Sequence, residues 1–358
     1  MTNRLKQYFP MLRTRTEIME IILKDKTLKT LFDSWETEFQ EEFQEEFLNI
    51  CTGISGVKVL YDFMIKEILN PKAVPERIGE LLSLLLNQKV KVLTVLPNDT
   101  TRITDETSLI ITDIVVELED GSIANIEIQK IGYQFPGERC ACYSSDLLLR
   151  QYKRIKGMQK RKFTYKSIKN VYTIVFLEKS PKTFHKFPQN YLHFFEQKSN
   201  TGLQMELLQK YIFIPLDIFK ENQQNKDIKN KLDAWLVFLS MDNPEMIVKL
   251  IETYPEFKPM YEQMYDICRN IEEVMGMFSK ELRELDRNTV LYMIDEMQDE
   301  LDQKKIQLQD TESKLNDAHT QLNSTQDELQ KALLKIAELE HQHIKNRLRL
   351  FSSPSPQS

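Results

Sequence analysis

Apolar positions in the first fifty residues recur at helical spacing, and in the run from Glu38 to Phe47 the residues Phe39, Phe43 and Phe47 fall every four positions among glutamates. That spacing predicts an amphipathic acidic helix whose phenylalanines form a core face. A second helix is predicted from Pro75 to Asn87, with proline at a first helical position and Ile78, Leu81, Leu82 and Leu85 on one side. From Val90 the period changes to two. Strands are predicted at Val90 to Leu96, Leu109 to Leu118 and Ser122 to Ile131, the last two joined by Glu119-Asp120-Gly121. A basic helix from about Gly137 to Gln159 follows, then strands at Val171 to Leu177, Tyr191 to Gln197 and Tyr211 to Ile218. Beyond Asn225 nearly everything reads as helix. Ile294, Leu301, Leu308, Leu315, Leu322, Leu329 and Ile336 recur every seven residues, opposite a weaker seam of Lys304, Thr311, Ala318, Thr325 and Ala332. This is a coiled coil of modest stability, and its seam predicts a homo-oligomer, because a lone helix leaves that stripe wet.

The hairpin is the most informative stretch. A two-residue Asp120-Gly121 turn would oppose Asp113 to Ile128, whereas a three-residue loop with Gly121 in the left-handed region opposes Asp113 to Glu127. The second register puts Ile114, Val116, Leu118, Ala124, Ile126 and Ile128 on one face and Asp113, Asn125, Glu127 and Gln129 on the other, so we adopt it. Two carboxylates directly opposed on adjacent strands repel unless a cation lies between them. Hard oxygen donors suit Mg²⁺, which could acidify a water and neutralise charge on a phosphate. The plainer alternative is a solvated hairpin face.

The chain has 358 residues, 41% of them hydrophobic and 28% charged, with only 9 glycines and 13 prolines, so it can bury a core and is neither fibrous nor wholly disordered. The four cysteines, Cys51, Cys140, Cys142 and Cys268, form no paired spacing for zinc or a disulfide framework. No GxxxxGK[ST] or GxGxxG loop and no HExxH occurs, which argues against nucleotide-driven motors, dinucleotide enzymes and zinc proteases. No signal-like or membrane-spanning apolar run is present, so a cytoplasmic, unanchored protein is expected. Net charge is −6, yet residues 150–169 carry nine positive charges and no acid. Any affinity for nucleic acid must therefore be local.

Asp113, the Gly121 turn and Asn125-Ile126-Glu127-Ile128-Gln129 together resemble the D…(D/E)-x-K signature of the PD-(D/E)XK nuclease superfamily. The closer resemblance is to its recombination-promoting nuclease/putative transposase branch, where an N-I-E-I-Q strand after an E-D-G turn is typical. Pro75-Glu76-Arg77-Ile78-Gly79-Glu80 is similar to the helix that brings that branch a further acid, and Arg139-Cys140-Ala141-Cys142-Tyr143 resembles its R-x-x-x-Y segment. The resemblance, over roughly residues 55–295, implies an α/β restriction-endonuclease-like core: a mixed sheet with an antiparallel meander flanked by helices. It implies Mg²⁺, with Mn²⁺ as a substitute, held by Asp113 and Glu127, and a helix acid for which Glu76 is preferred over Glu80. Gln129 stands where the superfamily signature has lysine and cannot supply its charge. Lys130 cannot replace it, because strand alternation sends it to the opposite face.

The resemblance implies DNA as partner. Contacts to it are expected from Arg139, Tyr143, Arg150, Lys153, Arg154, Lys156, Lys160, Arg161 and Lys162, with Tyr152, Phe163 and Tyr165 interleaved for packing or base stacking. The expected domains are an N-terminal helical segment at 1–54, the nuclease-like core at 55–222, a helical extension at 223–293, the coiled coil at 294–345 and a disordered tail at 346–358. Two functions remain open on these grounds. One is a Mg²⁺-dependent DNA endonuclease of transposition or recombination, and the other is an inactive nuclease-derived DNA-binding scaffold oligomerised by its coiled coil.

Overall fold

The computed structural model describes residues 4–38, 41–95, 112–130, 136–224 and 226–351. The chain falls into two compact units, residues 1–292 and 293–358.

In the first unit the predicted N-terminal helix is four: α1 (Arg4–Tyr8), α2 (Arg15–Lys24), α3 (Lys26–Glu38) and α4 (Glu41–Thr52). The breaks have local causes. Thr14 and Glu17 form a capping box that starts α2, and the Asp25 carboxylate accepts from the amides of Thr27 and Leu28 to start α3. Of the phenylalanine stripe, Phe47 is buried and Phe43 packs against the core, while Phe39 lies outside the described residues. Helix α5 (Asp62–Ile68) and α6 (Pro75–Leu85) follow, the latter opening with proline and burying Ile78, Leu81, Leu82 and Leu85 as expected.

The sheet has strands β1 (Val92–Val95), β2 (Thr112–Leu118), β3 (Ile123–Gln129), β4 (Val171–Leu177), β5 (His193–Phe195) and β6 (Gln209–Pro215), in the order β1-β2-β3-β4-β6-β5. The first three form the antiparallel meander, β3, β4 and β6 run parallel, and β5 closes one edge antiparallel. The predicted strand positions Leu96, Leu109, Ile110, Ile111 and Ile131 lie outside the described residues. Two strand ends need correction. The strand expected over Tyr211 to Ile218 stops at Pro215, because Leu216, Ile218 and Phe219 bury themselves at helical spacing in α8 (Leu216–Gln223). The one expected over Tyr191 to Gln197 shrinks to three residues paired with Tyr211, Ile212 and Phe213.

Between β3 and β4, α7 (Pro136–Gln159) lies on β4 and β6, and short 3₁₀ turns at Lys160–Lys162 and Tyr165–Ser167 carry the chain back. The opposite face of the sheet, with Ile114, Val116, Leu118, Ala124, Ile126 and Ile128, joins the main apolar core. That core also takes in α6, α9 (Lys231–Ser240), α10 (Pro244–Thr253), α11 (Lys258–Arg269) and the start of α12 (Ile271–Phe351). Mixed sheet, flanking helices and long C-terminal helix make this a restriction-endonuclease-like α/β fold.

The second unit is the remainder of α12 and the chain beyond it. Its heptad positions Leu301, Leu308, Leu315, Leu322, Leu329 and Ile336 are each more than half exposed. Of the tail expected at 346–358, residues 346–351 instead continue helix α12, and 352–358 lie outside the described residues. Among the described residues no helix is long and apolar enough to cross a membrane.

Candidate functional site

The hairpin adopts the three-residue loop. Gly121 has φ +86°, its amide donates to Leu118 O at 2.9 Å, and Asp113 faces Glu127 across the ladder. The Asp113 side chain itself lies outside those described. Glu127 is fully buried, and its Oε1 accepts from Asn125 Nδ2 at 2.7 Å. Parallel pairing sets Thr173 beside Asn125, so Asn125, Glu127, Gln129 and Thr173 make a buried polar lane on a face otherwise covered by apolar side chains of α7. Asn125 Oδ1, Thr173 Oγ1 and both polar atoms of the Gln129 amide are buried with no hydrogen-bond partner among the described residues. Buried polar atoms are seldom left so. Thr173 was not anticipated, although a threonine inside the apolar run Val171 to Leu177 was its signal.

Apart from the amide nitrogens of Asn125 and Gln129, the polar atoms of the lane are oxygens, with Glu127 its carboxylate, and such oxygens are of the kind a hard divalent cation such as Mg²⁺ takes. Among the described residues no three histidine, cysteine, aspartate or glutamate side chains gather as a metal cluster. Glu76 is exposed at the first turn of α6, and no hydrogen bond or ion pair links it to β2 or β3 among the described residues. Glu80, one turn on, is committed to α9: it accepts from Trp235 Nε1 at 2.9 Å and lies 3.5 Å from Lys231 Nζ.

Lys130 points away from the lane, as alternation requires. It is buried, pairs with Glu281 of α12 and sits 5.3 Å from the centre of the Tyr61 ring. Burial pushes its ammonium down to about 8, against the pull of Glu178, Asp62 and Glu284.

Helix α7 runs antiparallel to β3. Its first turns, with the Arg139 guanidinium 5.7 Å from the centre of the Tyr143 ring, lie near the Glu127 row, since Cys140 shares one buried cluster with Val175 and Phe213. Its far end lies over the hairpin turn, where Gln151 Nε2 donates to Gly121 O at 3.2 Å. Six residues of β-strand separate Gly121 from Glu127, about 20 Å. Three of the expected DNA contacts there are engaged within the protein: Arg154 grips Glu117 with two hydrogen bonds, at 2.5 and 2.7 Å, Arg150 pairs with Asp146 at 2.7 Å, and Lys156 Nζ donates to the Tyr152 hydroxyl at 2.7 Å. Those pairings span strand and helix, or one helical turn. Lys153, Lys156, Lys160, Arg161 and Lys162 are exposed. Tyr152, Phe163 and Tyr165 cluster with centroids 5.3 to 6.1 Å apart: the two tyrosines stack, and Phe163 meets both edge-on.

A serine–histidine–aspartate trio elsewhere is no hydrolase relay. Asp217 Oδ2 accepts from both Ser180 N and Ser180 Oγ, at 2.7 and 2.9 Å, and His185 turns the same Nε2 to Ser180 Oγ at 3.2 Å and to the Asp217 carboxylate at 3.4 Å. A relay needs the two ring nitrogens to face different partners.

A meander with an acid on each of two paired strands, followed by a helix and a parallel strand, defines a nuclease-like protein of the PD-(D/E)XK class. The model of the PD-(D/E)XK nuclease family transposases matches residues 60–297, and the chain belongs to that family. No curated protein and no solved structure matched it. Membership suggests a nuclease or transposition-related function.

Proposed function

We propose that the protein is a DNA endonuclease of transposition or recombination that hydrolyses phosphodiester bonds with Mg²⁺, Mn²⁺ serving as a substitute. The observation that carries this reading is the in-register opposition of Asp113 and Glu127 beside neutral oxygens buried without partners. Asp113 and Glu127 would hold the metal, which when bound withdraws charge from the scissile phosphate and acidifies a nearby water. Asn125 fixes the Glu127 carboxylate by its hydrogen bond. The Gln129 amide can accept a proton-side contact from the attacking water and donate to a phosphate oxygen. Glu76 is the candidate helix acid, with Glu80 already holding Trp235 and Lys231. Arg139 and Tyr143 are candidates for the phosphates nearest the site. Lys153, Lys156, Lys160, Arg161 and Lys162 would neutralise backbone about 20 Å further along the strand direction, within the span of a few nucleotides. Arg150 and Arg154, whose partners are Asp146 and Glu117, would act on DNA by shaping α7 or by exchanging partners. The exposed heptad seam supports a homo-oligomer, which would present two sites to two strands.

The second reading, an inactive DNA-binding scaffold, is favoured by one residue: Gln129 supplies no positive charge where the superfamily signature has lysine. Supercoiled plasmid incubated with the protein and Mg²⁺ or Mn²⁺ separates the two. Nicking that is lost in Asp113→Ala, in Glu127→Ala and with EDTA is the expected result. Salt-sensitive binding by a folded protein without any cleavage would overturn the enzyme reading in favour of the scaffold.

A further inference from the structure

The sheet face that carries the polar lane also carries a cavity of about 540 Å³, two strands away. The ladder registers place them in one line: Asp113, Glu127, Val175, Phe213 and His193 are successive partners across β2, β3, β4, β6 and β5. Two strand spacings separate Glu127 from Phe213, about 10 Å. The cavity walls are aromatic. Phe184 meets His193 edge-on at 5.1 Å and Phe213 at 5.8 Å, and Phe195 stands edge-on to Phe213 at 5.4 Å. Phe187 and Phe195 remain 56% and 50% exposed. Clustered exposed aromatic side chains around a concave site mark a binding surface rather than a finished core. On the α7 side the lining is Gly137 and Ala141, too small to fill the space. Thr183, Gln197 and Glu196 add a hydroxyl, an amide and a carboxylate to the lining.

We propose that this cavity receives a nucleobase turned out of its strand while the neighbouring phosphodiester lies at Asp113 and Glu127. The inference rests on the nuclease reading above. Aromatic walls stack on any base, since every base has a π-face, and the lining hydroxyl and amide can meet its hydrogen-bonding edge. The volume lies in the range of small-ligand pockets, ample for one base with part of its sugar. An apolar peptide side chain would suit the walls equally. It would have no reason to share a row with the acidic pair, whereas a nucleotide joins a phosphate to a base across such a span.

The test uses full-length protein in EDTA, so that no strand is cut, with two duplexes carrying 2-aminopurine, one fully matched and one with the probe in a mismatch. A mismatched base leaves the stack at lower cost. The expected result is tighter binding of the mismatched duplex, with a fluorescence change that reports restacking. Phe187→Ala combined with Phe195→Ala should weaken mismatched binding roughly tenfold, the scale of losing base–aromatic stacking, and so remove the preference over the matched duplex. Both residues are exposed, so their truncation spares the core. Ala141→Leu, which fills the cavity instead of stripping it, should act in the same direction. Equal binding of the two duplexes by the unaltered protein, or a preference that survives all the variants, overturns the inference and leaves the cavity to an apolar peptide. Cleavage of plasmid with no pocket-dependent base response sinks this inference alone. Absence of any DNA binding removes both this inference and the nuclease reading.

Discussion

The opposition of Asp113 and Glu127 depends on one backbone conformation, so Gly121→Ala is the sharpest perturbation of the hairpin. Gly121 sits at φ +86°, in the left-handed region. A residue with a Cβ pays about 1–2 kcal/mol there. The added Cβ would stand 3.4 Å from Lys169 Cγ, part of an exposed, flexible side chain that can shift, so sterics add little. For the compact unit of 292 residues the unfolding entropy is on the order of 0.6 kcal/mol per kelvin, which converts the strain to a fall in Tm of about 2–3 °C. Gly121→Asn, whose side chain tolerates this region, should recover much of the loss. Gly157→Ala is the internal control: it lies inside α7 with open space where its Cβ would be, and should shift Tm upward by relieving chain entropy. Differential scanning fluorimetry of the three variants beside the parent measures all of this. A Gly121→Ala protein as stable as the parent, or one that tracks Gly157→Ala, would refute the left-handed loop and with it the register that faces the two acids.

Two further outcomes are expected. Replacing Lys160, Arg161 and Lys162 together by alanine should flatten the plot of log binding constant against log salt by about 2–3 units of slope, since each lost phosphate contact removes about 0.9; an unchanged slope in a titration by fluorescence anisotropy would take these residues out of the DNA interface. Ending the chain at residue 296 removes the heptad positions from Leu301 onward, which are all more than half exposed, and should give a species of lower mass per particle in light scattering, beyond the mass of the deleted segment. A particle that loses only the deleted mass would exclude the seam as the oligomer contact.

Local pattern carried much of the fold. The run Val171 to Leu177 is apolar but for Thr173 and the Tyr172 hydroxyl because β4 is buried on both faces, and the strand has those limits. The hairpin register was readable because alternation and a glycine agree, so only one loop length keeps isoleucines and acids apart. Where one signal overlapped another, the boundary slipped: Leu216 and Ile218 continue an alternating pattern past Pro215, yet they pack as the first turn of α8. Pairings between distant segments left no local trace. Nothing in the basic run indicates that Arg154 is taken by Glu117, 37 positions earlier. The aromatic cavity is equally silent, since its walls come from a turn, two strands and a helix that no single period connects.

Lys130 immediately follows Gln129, and its buried partner Glu281 belongs to α12. A change at Glu281 strands an ammonium in the interior beside the end of the strand that carries Glu127 and Gln129. In a genetic screen, Glu281 would therefore score with the site residues despite lying 152 positions from Gln129, by subtraction of their numbers. Its defects would differ in kind. On the proposed function, loss of Asp113 or Glu127 removes a metal ligand, whereas loss of the Glu281 charge can be suppressed by an apolar replacement at Lys130, which leaves the interior without an unbalanced ion. The pair thus predicts a suppressor relationship that separates residues forming the site from residues holding it in place.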